Sequence, residues 1–162
     1  MKYLVRERIF SFADRFNIQD EDGSDKFQVE GQLFSLGDKL RIYDLDGREL
    51  IYIEQQIWRL LPEYNIYRGD RLLARVKKEL TLFKPRFTIE SQYGDFTIDG
   101  DVFAHDFTIL NNGRPIAWVS KKWFSLSDTY YVEILEGEDH AFILSLVIVL
   151  DQVLYDESGN NR

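Results

Sequence analysis

Two lysine pairs are the residues best suited by type and spacing to chemistry. Lys121-Lys122 closes an apolar, alternating run, and Lys77-Lys78 stands at the corresponding place in a related stretch, with Lys84 and Arg86 shortly after. Ammonium and guanidinium groups gathered in one pocket hold phosphates and anionic headgroups. The competing reading is structural, because one lysine of a pair in an alternating strand points to solvent and lysine protects strand edges from unwanted pairing. Asp95, Asp99, Asp101, His105 and Asp106 form a second group, rich in the hard oxygen ligands that calcium takes. Their spacing is not that of an EF-hand loop, and Asp99 and Asp101 also read as the flanks of a bulge at Gly100. His105 and His140 are the two histidines. A general base needs a partner and a pocket, and the sequence displays neither. His140, next to Asp139 at the start of an apolar segment, reads as structural. Ser120 and Ser125 lack a nucleophile-elbow context. Trp118, Trp123 and Phe124 suit either a recognition surface or packing on a barrel face. No catalytic constellation emerges, so the expectation is a non-enzyme with no cofactor and no metal.

Charge narrows the partners. The formal net charge is −8, against the basic balance of proteins that bind nucleic acid through its phosphates. The same charge opposes simple adhesion to an acidic membrane, so lipid binding would need a local site. With no cysteine there is no disulfide framework, thiolate nucleophile or cysteine-based zinc site. The opening MKYLVRERIF carries charges at residues 6, 7 and 8 and has no continuous apolar stretch of the signal-peptide kind, from which a cytoplasmic protein is expected.

These residues must be positioned mainly by strands. Aromatic residues make up 15% of the 162, and only three prolines occur, which suits pleated, half-buried surfaces. Alternation appears at Phe16 and Ile18, Phe27 and Val29, Leu40 and Ile42, Leu72, Ala74 and Val76, Phe87 and Ile89, Phe96 and Ile98, Phe107 and Ile109, Ile116 and Trp118, and Tyr130, Val132 and Ile134. Turn signals separate them: Asp22-Gly23, Gly37-Asp38, Asp46-Gly47, Gly69-Asp70, Gly94-Asp95 and Asn112-Gly113. Residues 57–61, IWRLL, read as a strand or a helical turn ended by Pro62. About a dozen short strands follow from the turn-and-alternation rule, the pattern of an all-β barrel or sandwich. A repeat runs through them. Setting Gly47 on Gly113 matches Arg48 with Arg114, Leu50 with Ile116, Tyr52 with Trp118 and Ile53 with Val119; a third copy from Gly69 matches Lys77-Lys78 with Lys121-Lys122.

One segment breaks the pattern. From Ala141 to Leu154, 11 of the 14 residues are apolar, with no polar stripe before Asp151. A helix apolar all round must be buried. Fourteen residues rise about 21 Å, short of the roughly 20 residues a bilayer core needs. The segment is therefore expected inside a sheet wrapped around it, with Phe142, Leu146, Val147 and Leu150 in the core and Asp139 as N-cap. Residues 1–155 read as one domain and 156–162 as a polar tail.

The sequence resembles the LURP-one-related family, which belongs with the tubby C-terminal-like domains and is similar to phospholipid scramblases. The resemblance rests on Phe96-Thr97-Ile98-Asp99-Gly100-Asp101, Phe107-Thr108-Ile109, Gly113, Ala117-Trp118-Val119-Ser120-Lys121-Lys122-Trp123, Asp128-Thr129-Tyr130, Asp139 and the apolar helix ending at Asp151. It implies a closed antiparallel barrel of twelve strands around a hydrophobic C-terminal helix. On function it implies either an anionic phospholipid headgroup or other ligand bound at a membrane surface, with Lys77, Lys78, Lys121 and Lys122 as candidates, or a protein-interaction scaffold with no lipid role. The short helix and the missing cysteine-rich segment depart from a scramblase, and the headgroup-binding residues of tubby domains have no matched positions here.

Overall fold

The computed structural model describes residues 1–7, 15–32, 37–121 and 128–160, with side chains as far as Leu154. Twelve strands precede one helix: β1 (Lys2–Arg6), β2 (Arg15–Asp20), β3 (Asp25–Gln32), β4 (Lys39–Tyr43), β5 (Glu49–Gln55), β6 (Glu63–Arg68), β7 (Arg71–Glu79), β8 (Arg86–Ser91), β9 (Phe96–Asp101), β10 (Asp106–Asn111), β11 (Arg114–Ser120), β12 (Thr129–Ile134) and α1 (His140–Asn160). Each strand pairs antiparallel with the next, and β1 closes on β12 from Lys2↔Glu133 to Arg6↔Thr129. The result is the closed barrel around a buried helix that the resemblance implies.

Inward and outward residues alternate along the wall, so Leu40 and Ile42, Ile51 and Ile53, Tyr130 and Val132 all face the helix. Every residue of α1 from Ala141 to Leu150 is buried, including Phe142, Leu146, Val147 and Leu150. This is why the segment carries no polar stripe: the wall covers it on all sides. Ser145, its one early polar residue, donates its hydroxyl to the Phe142 carbonyl at 2.6 Å and needs no other partner. Asp139 caps the helix as expected, accepting from the Phe142 amide at 3.2 Å.

Several expectations are corrected. The helix does not stop at Leu154: its backbone continues to Asn160, across most of the segment read as a polar tail. Asp156, Glu157 and Ser158 contain no breaker, and Gly159 is the first residue that weakens a helix. Among the described residues no helix is long and apolar enough to cross a membrane. Residues 57–61 are neither strand nor helical turn but an irregular loop in which Trp58 takes a positive φ of 63°. Gly100 forms no bulge, because β9 and β10 pair without a shift. Its place is explained by close approach: a Cβ there would stand 2.5 Å from the Asp106 carbonyl oxygen.

The hairpin repeat survives in a different alignment. In the turns at Gly23 and Gly47 an aspartate carboxylate, Asp20 or Asp44, accepts from two backbone amides, those of Asp22 and Ser24 or of Asp46 and Arg48. Only the glycine takes positive φ there, as in a three-residue loop with a bulge. The turn at Asn112-Gly113 is the tighter two-residue kind, with φ of 50° and 79°. Gly47 therefore matches Gly23 in build, not Gly113.

Candidate functional site

Because the strands run antiparallel, their connections alternate between two rims. One rim carries the turns at Gly23, Gly47, Gly69, Tyr93-Gly94, Gly113 and the segment before α1, all rich in acids and glycine. The helix enters there, held by Arg68 on Asp139 at 2.7 Å and by Arg114 on Glu138. The opposite rim is built differently. Its β5–β6 and β7–β8 loops carry Ile57, Trp58, Leu60, Leu80, Leu82 and Phe83; Trp58, Leu82 and Phe83 are each 93% exposed and Leu60 is fully so. The two loops adjoin, since the Lys78 amide donates to the Pro62 carbonyl at 3.1 Å. Lys84 and Arg86 follow Phe83 and have no ion-pair partner among the described residues.

Of the candidate lysines, Lys77, Lys78 and Lys121 sit toward this apolar rim, but the barrel does not gather these three. Lys77 and Lys78 lie on β7, and Lys121 follows β11, with β8, β9 and β10 between them. Lys77 is bound to Glu90 at 3.0 Å and to the buried Glu63 at 3.8 Å, while Arg59 holds the other oxygen of Glu63 at 2.8 Å. Lys77 thus neutralises a carboxylate that would be costly to bury alone. Lys121 pairs with Glu7. Lys122, Trp123, Phe124 and Ser125 lie outside the described residues. Trp118 is half-exposed on the outer face of β11. A shallow cleft of about 250 Å³ lies between β7 and β8, lined by residues 72–75 and 90–92, and neither Lys77 nor Lys78 lines it.

The proposed aspartate cluster loses its histidine, which joins a different group, while Asp101 and Asp106 stay opposite each other on β9 and β10. His105, at a positive φ of 51°, makes its contacts with Asp151 and Glu7 and forms no ion pair with Asp95, Asp99 or Asp101 among the described residues. Its Nε2–H donates to Asp151 on the helix at 2.7 Å, and its Nδ1 lies 3.6 Å from Glu7. Its ring stacks on Tyr130 with centroids 4.6 Å apart. Tyr130 is fully buried, its hydroxyl has no partner among the described residues, and burial followed by the charges of Asp151 and Glu7 pushes its pKa well up. An imidazole oriented by a carboxylate resembles a general base. Here Asp151 and Glu7 face its two nitrogens and Tyr130 covers one ring face, so the group ties the β9–β10 loop to the helix and β1. The histidine partners that no local spacing revealed are thus 46 and 98 residues away in sequence. Among the described residues no three metal-ligating side chains converge. His140 is structural as expected: its Nε2–H donates to the Leu135 carbonyl at 3.1 Å, so its Nδ1 accepts from the Tyr3 hydroxyl at 2.7 Å.

A family model described as LURP-one-related matches residues 1–151. The chain belongs to the LURP-one-related family. Among its relatives is the uncharacterized protein YxjI of Bacillus subtilis (strain 168), 38% identical over 161 residues, spanning 99% of this chain and 98% of that protein. The X-ray structure of a protein from Arabidopsis thaliana, AT5G01750, is similar with a TM-score of 0.65 at 20% identity, covering 94% of this chain and 91% of that one. That likeness concerns the fold.

Proposed function

We propose that this domain is a non-enzymatic module that docks on membranes containing anionic phospholipid, through the β5–β6 and β7–β8 sector of its apolar rim. The observation that carries the reading is the pair of adjoining loops whose largest apolar side chains stand in water beside Lys84 and Arg86. A contiguous exposed apolar patch marks a contact surface. Burying one such side chain fully is worth about 1.5–3 kcal/mol, and a cation near an anionic surface about 1 kcal/mol. Several partly inserted tips then outweigh the repulsion expected from a net charge of −8. Trp58 supports the same reading. A non-glycine residue with positive φ costs on the order of 1 kcal/mol, and here that strain accompanies an indole turned to solvent. The ligand-contacting residues move accordingly, from the ion-paired Lys77 and Lys121 to Trp58, Leu60, Leu82, Phe83, Lys84 and Arg86.

The test is co-sedimentation with neutral, phosphatidylserine-containing and phosphoinositide-containing vesicles. The protein should bind the anionic vesicles. Leu60→Ser/Leu82→Ser should weaken binding at least tenfold, and Lys84→Glu/Arg86→Glu comparably, with unchanged melting temperatures because all four side chains are exposed. No binding to any vesicle, or full binding by the leucine variant, would overturn the proposal.

A further inference from the structure

The barrel wall has one thin seam. β8 and β9 meet at a single residue pair, Ile89↔Phe96, although β8 makes six pairs with β7 and β9 makes six with β10. That pair lies near the polar rim, and among the described residues no backbone pairing joins Arg86–Thr88 to Thr97–Asp101. A strand paired on one side points the N–H and C=O of every second residue at the open side, where they template a further strand. The exposed side chains of β9 are Thr97, Asp99 and Asp101, and Asp106 lies opposite Asp101 on β10. Among the described residues no ion pair engages Asp99 or Asp106. On the inner side, Phe87 and Ile98 are half-buried against the core.

We propose that the β9 edge captures an extended peptide of a partner protein by strand addition, and that the peptide alternates basic and apolar residues. The reading rests on the β9 edge and not on the exposed loop tips of the membrane-docking surface, although Arg86, which serves that surface, begins the strand across the seam. Alternation follows from the pleat: on an added strand, every second side chain lies beside Asp99 and Asp101, and the others lie over Phe87 and Ile98. The charge follows from the exposed carboxylates, which attract lysine or arginine. The same carboxylates repel the β9 edge of a second copy, since like charges on facing strands are unfavourable. The occupant is therefore a different chain, recognised by its backbone and its charge together.

The test is fluorescence anisotropy of the full chain with a labelled hexapeptide alternating lysine and valine. Controls are the same peptide N-methylated at alternate residues, and one with glutamate for lysine. The expected result is saturable binding of the lysine peptide, at least tenfold weaker binding of both controls, and slowed amide exchange confined to residues 97–101. Asp99→Lys, an exposed change, should weaken the lysine peptide at least tenfold. If that variant proves unstable, the N-methylated peptide decides alone, because it leaves the protein untouched. Absence of binding, equal binding of the N-methylated peptide, or protection elsewhere on the barrel would overturn the proposal.

Discussion

The same chemical change at two leucines should give opposite results. Leu146 lies mid-helix with no exposed surface, and α1 packs there against a wall that includes β5, β6, β7 and β12. Leu146→Ala removes buried methyl groups and leaves a void that a closed wall cannot collapse to fill. Such substitutions cost about 2–5 kcal/mol, and the rigid surround places this one in the middle, at roughly 3 kcal/mol. A domain of this size loses about 2–4 °C of melting temperature per kcal/mol, so the fall should be roughly 6–12 °C. Leu82 is 93% exposed on the β7–β8 loop, and Leu82→Ala removes nothing packed. Its effect should stay within about 0.5 kcal/mol. Urea unfolding followed by tryptophan fluorescence, with calorimetry for the midpoint, measures both on one scale. A loss below about 1 kcal/mol at Leu146 would refute the enclosed helix by the same cavity rule. A loss at Leu82 matching that at Leu146 would refute the exposed rim, and with it the basis for membrane docking.

Two further outcomes follow from particular side chains. Tyr130→Phe removes a buried hydroxyl with no partner among the described residues, whose burial costs about 1–3 kcal/mol, so the variant should be as stable as the parent or about 1 kcal/mol more stable. Tyr130 has its pKa raised by burial and then by Asp151 and Glu7, and Tyr3 is pushed up to about 12 by burial and then by Glu136 and Asp20. A raised pKa in the folded state keeps its stability in full below the unfolded value near 10 and loses it as pH climbs toward the folded value. Melting temperature should therefore drop above about pH 10, and Tyr130→Phe should flatten that drop; an identical alkaline limb would remove Tyr130 as its source. Asp139→Ala deletes the cap on the Phe142 amide and the ion pair with Arg68. The cap is worth about 1 kcal/mol and the partly exposed pair a fraction of that, so denaturant unfolding should report a loss of about 1–2 kcal/mol. Arg68→Ala should cost less, and a reversed order would contradict the capping role.

The sequence by itself determined the architecture, because its signals are local. Alternation and turn residues mark strands within a few positions of each other, and Ala141–Leu150 is so uniformly apolar that only an enclosing wall could satisfy it. Asp139 was legible as a cap because it acts on the nearby Phe142 amide, and His140 as structural because it binds the nearby Leu135 carbonyl, whereas its other partner, Tyr3, is 137 residues away and only the fold supplies it. The candidate site was legible only in part. Lys77 and Lys121 looked like a shared basic feature because the repeat aligned them, but the barrel spaces them four strands apart and gives each a carboxylate, Glu63 with Glu90 in one case and Glu7 in the other. His105 looked like a member of an aspartate cluster because Asp101 and Asp106 are near in sequence; closure of the barrel brings Glu7 and Asp151 to it instead. Loop residues such as Trp58, Leu60 and Leu82 carry no mark of exposure in the sequence, since an apolar side chain between strands can fold inward or stay in water. Only antiparallel closure, which sends alternate connections to opposite rims, places these loops together at one end and the acidic turns at the other.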